Sequence, residues 1–166
     1  LQNMITKFNY LFVTMFGVGR IRIIPGTFGS LTTVIILYFL FHILDISSNV
    51  ILLGLFVIFI YSFSAVANHI ENIEDKDPKE IVIDEFIGQS IPIYFYEVSH
   101  GTEKLPNEAV IFYTVCFILF RFFDIRKPFP VNFFDKNYKN SFGVIMDDVC
   151  AGLYVVLSLI CFMVLS

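Results

Sequence analysis

Acidic residues cluster in three short motifs at the borders of apolar runs. They are Val82-Ile83-Asp84-Glu85-Phe86-Ile87-Gly88, Phe120-Arg121-Phe122-Phe123-Asp124-Ile125-Arg126-Lys127-Pro128 and Ile145-Met146-Asp147-Asp148-Val149-Cys150-Ala151-Gly152. A chain that is 57% apolar, with mean hydropathy +0.76, has little reason to keep carboxylates there unless they bind something. Carboxylate oxygens are hard ligands suited to Mg²⁺, Mn²⁺ or Ca²⁺, and the interspersed Arg121, Arg126 and Lys127 suit a phosphate held beside such an ion. The adjacent Asp147 and Asp148 repel one another, which a divalent cation relieves, and Ala151-Gly152 lets a neighbouring helix pack close to them.

Each motif also has a plainer explanation. Asp84 and Glu85 would cap a helix and gain from its dipole. Arg121 and Asp124 would form an ordinary i,i+3 pair. Capping accounts for one of Asp147 and Asp148 but not readily for both. Upstream, Gly26, Thr27, Gly29 and Ser30 lie in Arg22-Ile23-Ile24-Pro25-Gly26-Thr27-Phe28-Gly29-Ser30, where the first apolar run begins. Glycine lets backbone N–H groups approach a phosphate and Ser or Thr caps a helix, so a headgroup cradle and a simple capped turn are equal readings. The motif matches neither the Walker nor the dinucleotide-binding pattern. His69 is read as a structural residue, Glu71, Glu74, Asp75 and Glu80 as a solvated loop, and Asp77-Pro78 as a turn.

The elements that must position these groups are apolar on most faces. Leu31–Ile46, Val50–Ala67, Phe86–Val98, Ala109–Phe123 and Val149–Leu165 read as buried or lipid-facing helices, with Pro92 making the third kinked or re-entrant. The fold class is therefore all-α: a multi-pass helical membrane protein of four to five apolar helices, one domain over residues 1–166. If all five span, ten of the eleven basic residues fall on one side, with Lys104 alone opposite, and this places the N-terminus and every polar motif in the cytoplasm. Eleven of the fifteen acids share that face, which topology does not ask for. His42 and His100 fall on the other side and are assigned no chemistry. A net charge of −4 without a basic stripe argues against nucleic acid. Cys116, Cys150 and Cys161 match no zinc or redox spacing and read as small buried hydrophobes. No cleavable leader is expected, since Leu1–Asn9 has only Lys7 as a positive charge.

The motifs just quoted, with Asp77-Pro78 and Pro128-Phe129-Pro130, occur in an order and combination that closely resembles the phosphatidylglycerophosphatase A family over nearly the whole chain. Members of that family remove the terminal phosphate of phosphatidylglycerophosphate to give phosphatidylglycerol. Arg22 departs from the pattern, standing where the family often has Pro. The resemblance implies Mg²⁺ dependence, a phosphatidylglycerophosphate substrate and a bacterial inner-membrane location. The family also has a soluble all-helical branch, so insertion here rests on the apolar runs and the charge asymmetry.

The reading that follows is a lipid phosphatase with its active-site loops on the cytoplasmic face of the membrane. Asp84, Glu85, Asp124, Asp147 and Asp148 are expected as catalytic carboxylates and Mg²⁺ ligands, with Arg121, Arg126 and Lys127 holding the phosphate. Thr27, Ser30 and the backbone of Gly26 and Gly29 would position the ester. Metal-activated water and an aspartate forming an acyl-phosphate remain alternative nucleophiles. A CDP-alcohol phosphotransferase would need an Asp-Gly-x-x-Ala-Arg unit, which is absent. A membrane carrier would place acids within spans rather than at one interface.

Overall fold

The structure is a computed structural model, described over residues 2–71, 73, 78–100 and 106–165. It consists of helices α1 (Gln2–Val13), α2 (Pro25–Tyr38), α3 (Ser48–Ile70), α4 (Ile83–His100), α5 (Pro106–Arg126), α6 (Val131–Asn137) and α7 (Ser141–Leu165). A short 3-10 turn, Val18–Arg20, precedes α2, and a π-helical segment, Phe39–Ile43, extends it. No strand occurs among the described residues. Asp77 and Lys104 lie outside the described residues, as do Glu74, Asp75 and Glu103.

All five expected apolar segments are helical, with different limits. The last begins at Ser141 rather than Val149, so Asp147 and Asp148 sit six and seven residues inside α7, roughly 10 Å along its axis. Asp84 and Glu85 occupy the first turn of α4, and Asp124 lies in the last turn of α5. The acids expected in loops are thus carried by helices, three of them in terminal turns and two inside α7. Three helical stretches are long and apolar enough to cross a membrane: Pro25–Ile43, Ser48–Ile70 and Ser141–Leu165. α4 and α5 carry charges within their length, Glu97 in one and Arg121 with Asp124 in the other, and pack against neighbours instead.

α4 is the central helix, packed against α2, α3, α5 and α7. Pro92 does not break it. Proline lacks an N–H, so the carbonyl of Gly88, four residues earlier, loses its helical partner. Gly152 of α7 packs there: a Cβ on Gly152 would fall on the Gly88 carbonyl oxygen, and one on Gly88 would stand 2.5 Å from the Asp148 carbonyl oxygen. Two glycines therefore set the closest approach of α4 to α7, and this brings Asp148 alongside the start of α4.

Two apolar clusters hold the bundle. At the acidic end, Val13, Ala65, Val66, Ile81–Ile83, Phe86, Ile87 and Ile145 pack together; further along lie Leu37, Ile93, Tyr113, Cys116, Phe120 and Val155. Outside them is a broad apolar surface, with Ile35, Leu53, Phe56, Val57 and Ile60 all exposed. In water that surface would be unfavourable; in lipid it is the ordinary exterior. Cys116 is buried as expected, but Cys161 is on the outer surface of α7.

α1 has no counterpart in the sequence reading. It is fixed to α3 by a 2.6 Å hydrogen bond from the Tyr61 hydroxyl to Asn9 Oδ1 and by edge-on packing of Phe12 against Tyr61. Glu80 is likewise no solvated loop residue: it accepts a hydrogen bond from Tyr10 at 3.2 Å and pairs with His69 at 3.0 Å, tying α1, α3 and the segment before α4 together. At the other end, Glu97 accepts from Tyr113 at 3.0 Å and lies 3.1 Å from His42 in the π segment.

Candidate active site

The first turn of α4 projects Asp84 and Glu85 toward α7, where Asp148 meets them. One carboxylate oxygen from each of the three lies within 4.8 Å of the others. Asp84 and Asp148 are buried and Glu85 nearly so. Burial, then the neighbouring Glu85, Asp148 and Asp147, drives the Asp84 carboxyl well above the usual carboxylate range. Glu85 is also raised, by burial first and Asp124 next, against the opposing bond from Asp84 and the charge of Arg121. Three such groups this close cannot all ionise without a compensating cation.

Arg121 supplies part of that compensation. Its Nη1 is 2.9 Å from Asp124 Oδ2, 4.0 Å from Glu85 Oε1 and 3.3 Å from Ser30 Oγ, to which it donates. Ser30 in turn donates to the Gly26 carbonyl at 3.0 Å. Gly26 is forced: a Cβ there would collide with Glu85 Oε1 and approach Arg121 Nη1 to 3.3 Å. The start of α2 thus touches the acids and the arginine together. Thr27 lies half-buried on the same turn, its N–H bonded to the Ile24 carbonyl. Gly29 faces elsewhere, with its missing Cβ 2.9 Å from the Val82 side chain, so its smallness serves helix packing.

Asp147 separates from its neighbour, because successive helical residues point about 100° apart. It pairs with Lys127 at 3.0 Å, and Lys127 also donates to Asp135 of α6 at 2.7 Å. Lys127 follows α5 with φ at +44°, a left-handed conformation uncommon for a residue with a Cβ. Burial works against its charged form, yet Asp135 and Asp147 hold the ammonium above the ordinary lysine range. Arg126 does not join the cluster; it is exposed, with its guanidinium 5.8 Å from the Phe122 ring centre.

The arrangement leaves specific atoms unclaimed. Glu85 Oε2, Asp148 Oδ1, Arg121 Nε and both amide atoms of Gln89 are buried without a hydrogen-bond partner. Two orphaned carboxylate oxygens beside a raised third acid suit a hard divalent cation, which accepts several oxygens. Gln89 is fully buried one helical turn below Glu85 on the same face of α4. Sequence reasoning missed it, although a lone amide inside the apolar run Phe86–Val98 was a signal. Asp135 had none, since its link to Lys127 is tertiary.

Buried carboxylates and a guanidinium gathered at one end of an apolar helical bundle form a site of the kind that handles a phosphate beside a divalent cation. The comparisons with known proteins narrow that class. Residues 11–163 match phosphatidylglycerophosphatase A, and the chain belongs to that family. It is 33% identical over 148 residues to phosphatidylglycerophosphatase A of Haemophilus influenzae, covering 89% of this chain and 84% of that protein. The Escherichia coli phosphatidylglycerophosphatase A is 32% identical over 145 residues, covering 87% and 77%. A Bacteroides thetaiotaomicron protein, provisionally named a phosphatidylinositol-3-phosphatase, is 35% identical over 144 residues, covering 85% and 84%. No solved structure gives a significant match.

Proposed function

We propose that this protein hydrolyses the terminal phosphate of phosphatidylglycerophosphate in a Mg²⁺-dependent reaction, at the cytoplasmic face of a bacterial inner membrane. The observation that carries the reading is the trio Asp84, Glu85 and Asp148, with two orphaned oxygens, beside Arg121. Family membership and the names of the Haemophilus and Escherichia relatives support the substrate. The orientation is supported by the basic residues Arg20, Arg22, Lys79, Arg121, Arg126, Lys127, Lys136 and Lys139, which belong to the acidic end of the bundle.

In this reading Asp84, Glu85 and Asp148 hold the ion. A divalent cation supplies charge neutralisation at the phosphoryl group and acidifies water, the two demands of phosphoryl transfer. Arg121, oriented by Asp124 and Ser30, presents its unclaimed Nε to a phosphoryl oxygen. Lys127 adds a second positive charge, positioned by Asp147 and Asp135. The attacking oxygen forms a new P–O bond as the ester P–O bond breaks and the glycerol oxygen takes up a proton. With water as nucleophile that proton is the one the water gives up; with an aspartate, a water then cleaves the acyl-phosphate to release phosphate. Water and an aspartate remain the two candidate nucleophiles, as the carboxylates serve either.

The test is phosphate release by purified protein from phosphatidylglycerophosphate, with Mg²⁺ and after chelation, with phosphatidylinositol 3-phosphate as the comparison substrate. Release from the first lipid that stops on chelation is expected. Release from the inositol lipid alone would overturn the substrate assignment.

A further inference from the structure

An apolar cavity of ≈ 330 Å³ opens on the lipid-facing side between α3, α4 and α7. On α3 it is lined by Leu52, Phe56 and Phe59, a stripe at i, i+4 and i+7. On α4 the wall is Ile87, Ile91 and Phe95, again one stripe, and the residue one turn before Ile87 on that face is Asp84. Val149, adjacent to Asp148, closes the same end. Ser90 also lines the cavity, but its hydroxyl is spent on the Phe86 carbonyl at 2.6 Å, so the wall offers no free polar group there. The groove therefore begins one helical turn from Asp84 and beside the residue that follows Asp148, and runs away from both.

We infer that this groove receives one acyl chain of the lipid substrate while its phosphate lies at the carboxylates. The inference rests on the lipid-phosphatase reading above and deepens it. Ile87 to Phe95 spans about 12 Å of helix, close to the ~15 Å hydrocarbon depth of one leaflet. A site that must discriminate a lipid phosphate from the many soluble phosphates of a cell gains selectivity from an apolar contact that only a lipid can make. The wall is predominantly hydrocarbon, with Ser90 and Tyr94 its two residues that carry a side-chain oxygen, and it approaches the acids at its head.

Two measurements test it. Phosphatidylglycerol carrying a photoactivatable diazirine midway along one acyl chain is incorporated with the protein into bilayers, illuminated and mapped. Labelling concentrated on residues 52–59 and 87–95 is expected. Equal labelling of exposed apolar positions elsewhere, such as Ile35 and Phe162, would overturn the groove, because a chain in bulk lipid visits all of them. The second measurement is selectivity. Ile91→Trp, or Leu52→Trp where the first does not fold, should lower the ratio of kcat/KM for long-chain over deacylated substrate by about tenfold. An equal loss on both substrates marks general damage and counts against the groove. Should the wild-type protein release phosphate from no lipid, the phosphatase reading falls, and the labelling pattern still decides whether a chain occupies the groove.

Discussion

Gly152 on α7 rests directly against the carbonyl oxygen of Gly88 on α4, the oxygen that Pro92 leaves without a helical partner. Nothing larger fits between the helices, and Asp148 reaches the acids of α4 because of it. Gly152→Ala should destabilise the protein by about 1–3 kcal/mol, read as a lower Tm in detergent. Gly54→Ala, on α3 where an added Cβ meets nothing within 4 Å, should be neutral or slightly stabilising. Equal Tm values for the two variants would remove the glycine contact from the account.

The acids divide into two groups with different signatures. Asp84→Asn and Asp148→Asn remove oxygens of the clustered trio and should abolish hydrolysis or raise the Mg²⁺ needed for half activity by about tenfold or more. Asp147→Asn acts on Lys127 and should leave the Mg²⁺ requirement near that of the wild type while lowering turnover. Glu108→Gln, exposed at the opposite end of α5, serves as the silent control. Burial and Glu85 hold the Asp84 proton above the ordinary range, whereas ligation needs the ionised group. The Mg²⁺ requirement should therefore rise as pH falls, beginning well above the usual carboxylate pKa of about 4. A requirement independent of pH would argue against Asp84 as a ligand.

Lys127→Ala should cost on the order of 10²-fold in kcat/KM without shifting the Mg²⁺ dependence. Asp135→Asn loosens the same ammonium without removing it, so a loss of only a few-fold is expected. Wild-type rates for Lys127→Ala at saturating substrate and metal would take the residue out of the site.

Gln89 offers a sharper separation of stability from activity. A buried amide with neither atom paired is unfavourable, so Gln89→Leu should leave Tm unchanged or raise it. If the amide faces the bound headgroup or its water, the same variant should lose activity. A lower Tm with full activity would instead make Gln89 a packing residue with no part in the reaction.

Orientation is open to direct labelling. In a cysteine-free background, Lys139→Cys should react with an impermeant thiol reagent only after the cells are opened, and Asn107→Cys should react in intact cells. Both side chains are exposed. The reverse pattern would place the site outside.

Much of the candidate site was legible because ionisable side chains are conspicuous in an apolar sequence: Asp84, Glu85, Asp148 and Arg121 stood out by type alone. Their grouping was not. Asp147 and Asp148 look like one unit in the sequence, and only the 100° turn between them sends one to Lys127 and the other to α4. The start of α7 was misplaced because the polar residues before Val149 interrupt hydropathy but not helix formation. α1 was unseen because its role depends on Tyr61, 52 residues away from Asn9. Gly29 reads in the sequence as part of a phosphate cradle, and the structure adds a packing demand from Val82 that could be seen only by knowing which segment lies beside it.

The depth of Asp148, about two turns inside an apolar helix, has a kinetic meaning. On the proposed lipid-phosphatase reading, a phosphate reaching that level stays with its bilayer, so the encounter between enzyme and lipid takes place in two dimensions. The quantity that governs the rate is then the mole fraction of substrate in the surface rather than its concentration in the bulk. Adding inert phospholipid at constant total substrate should slow the enzyme, and adding buffer should not.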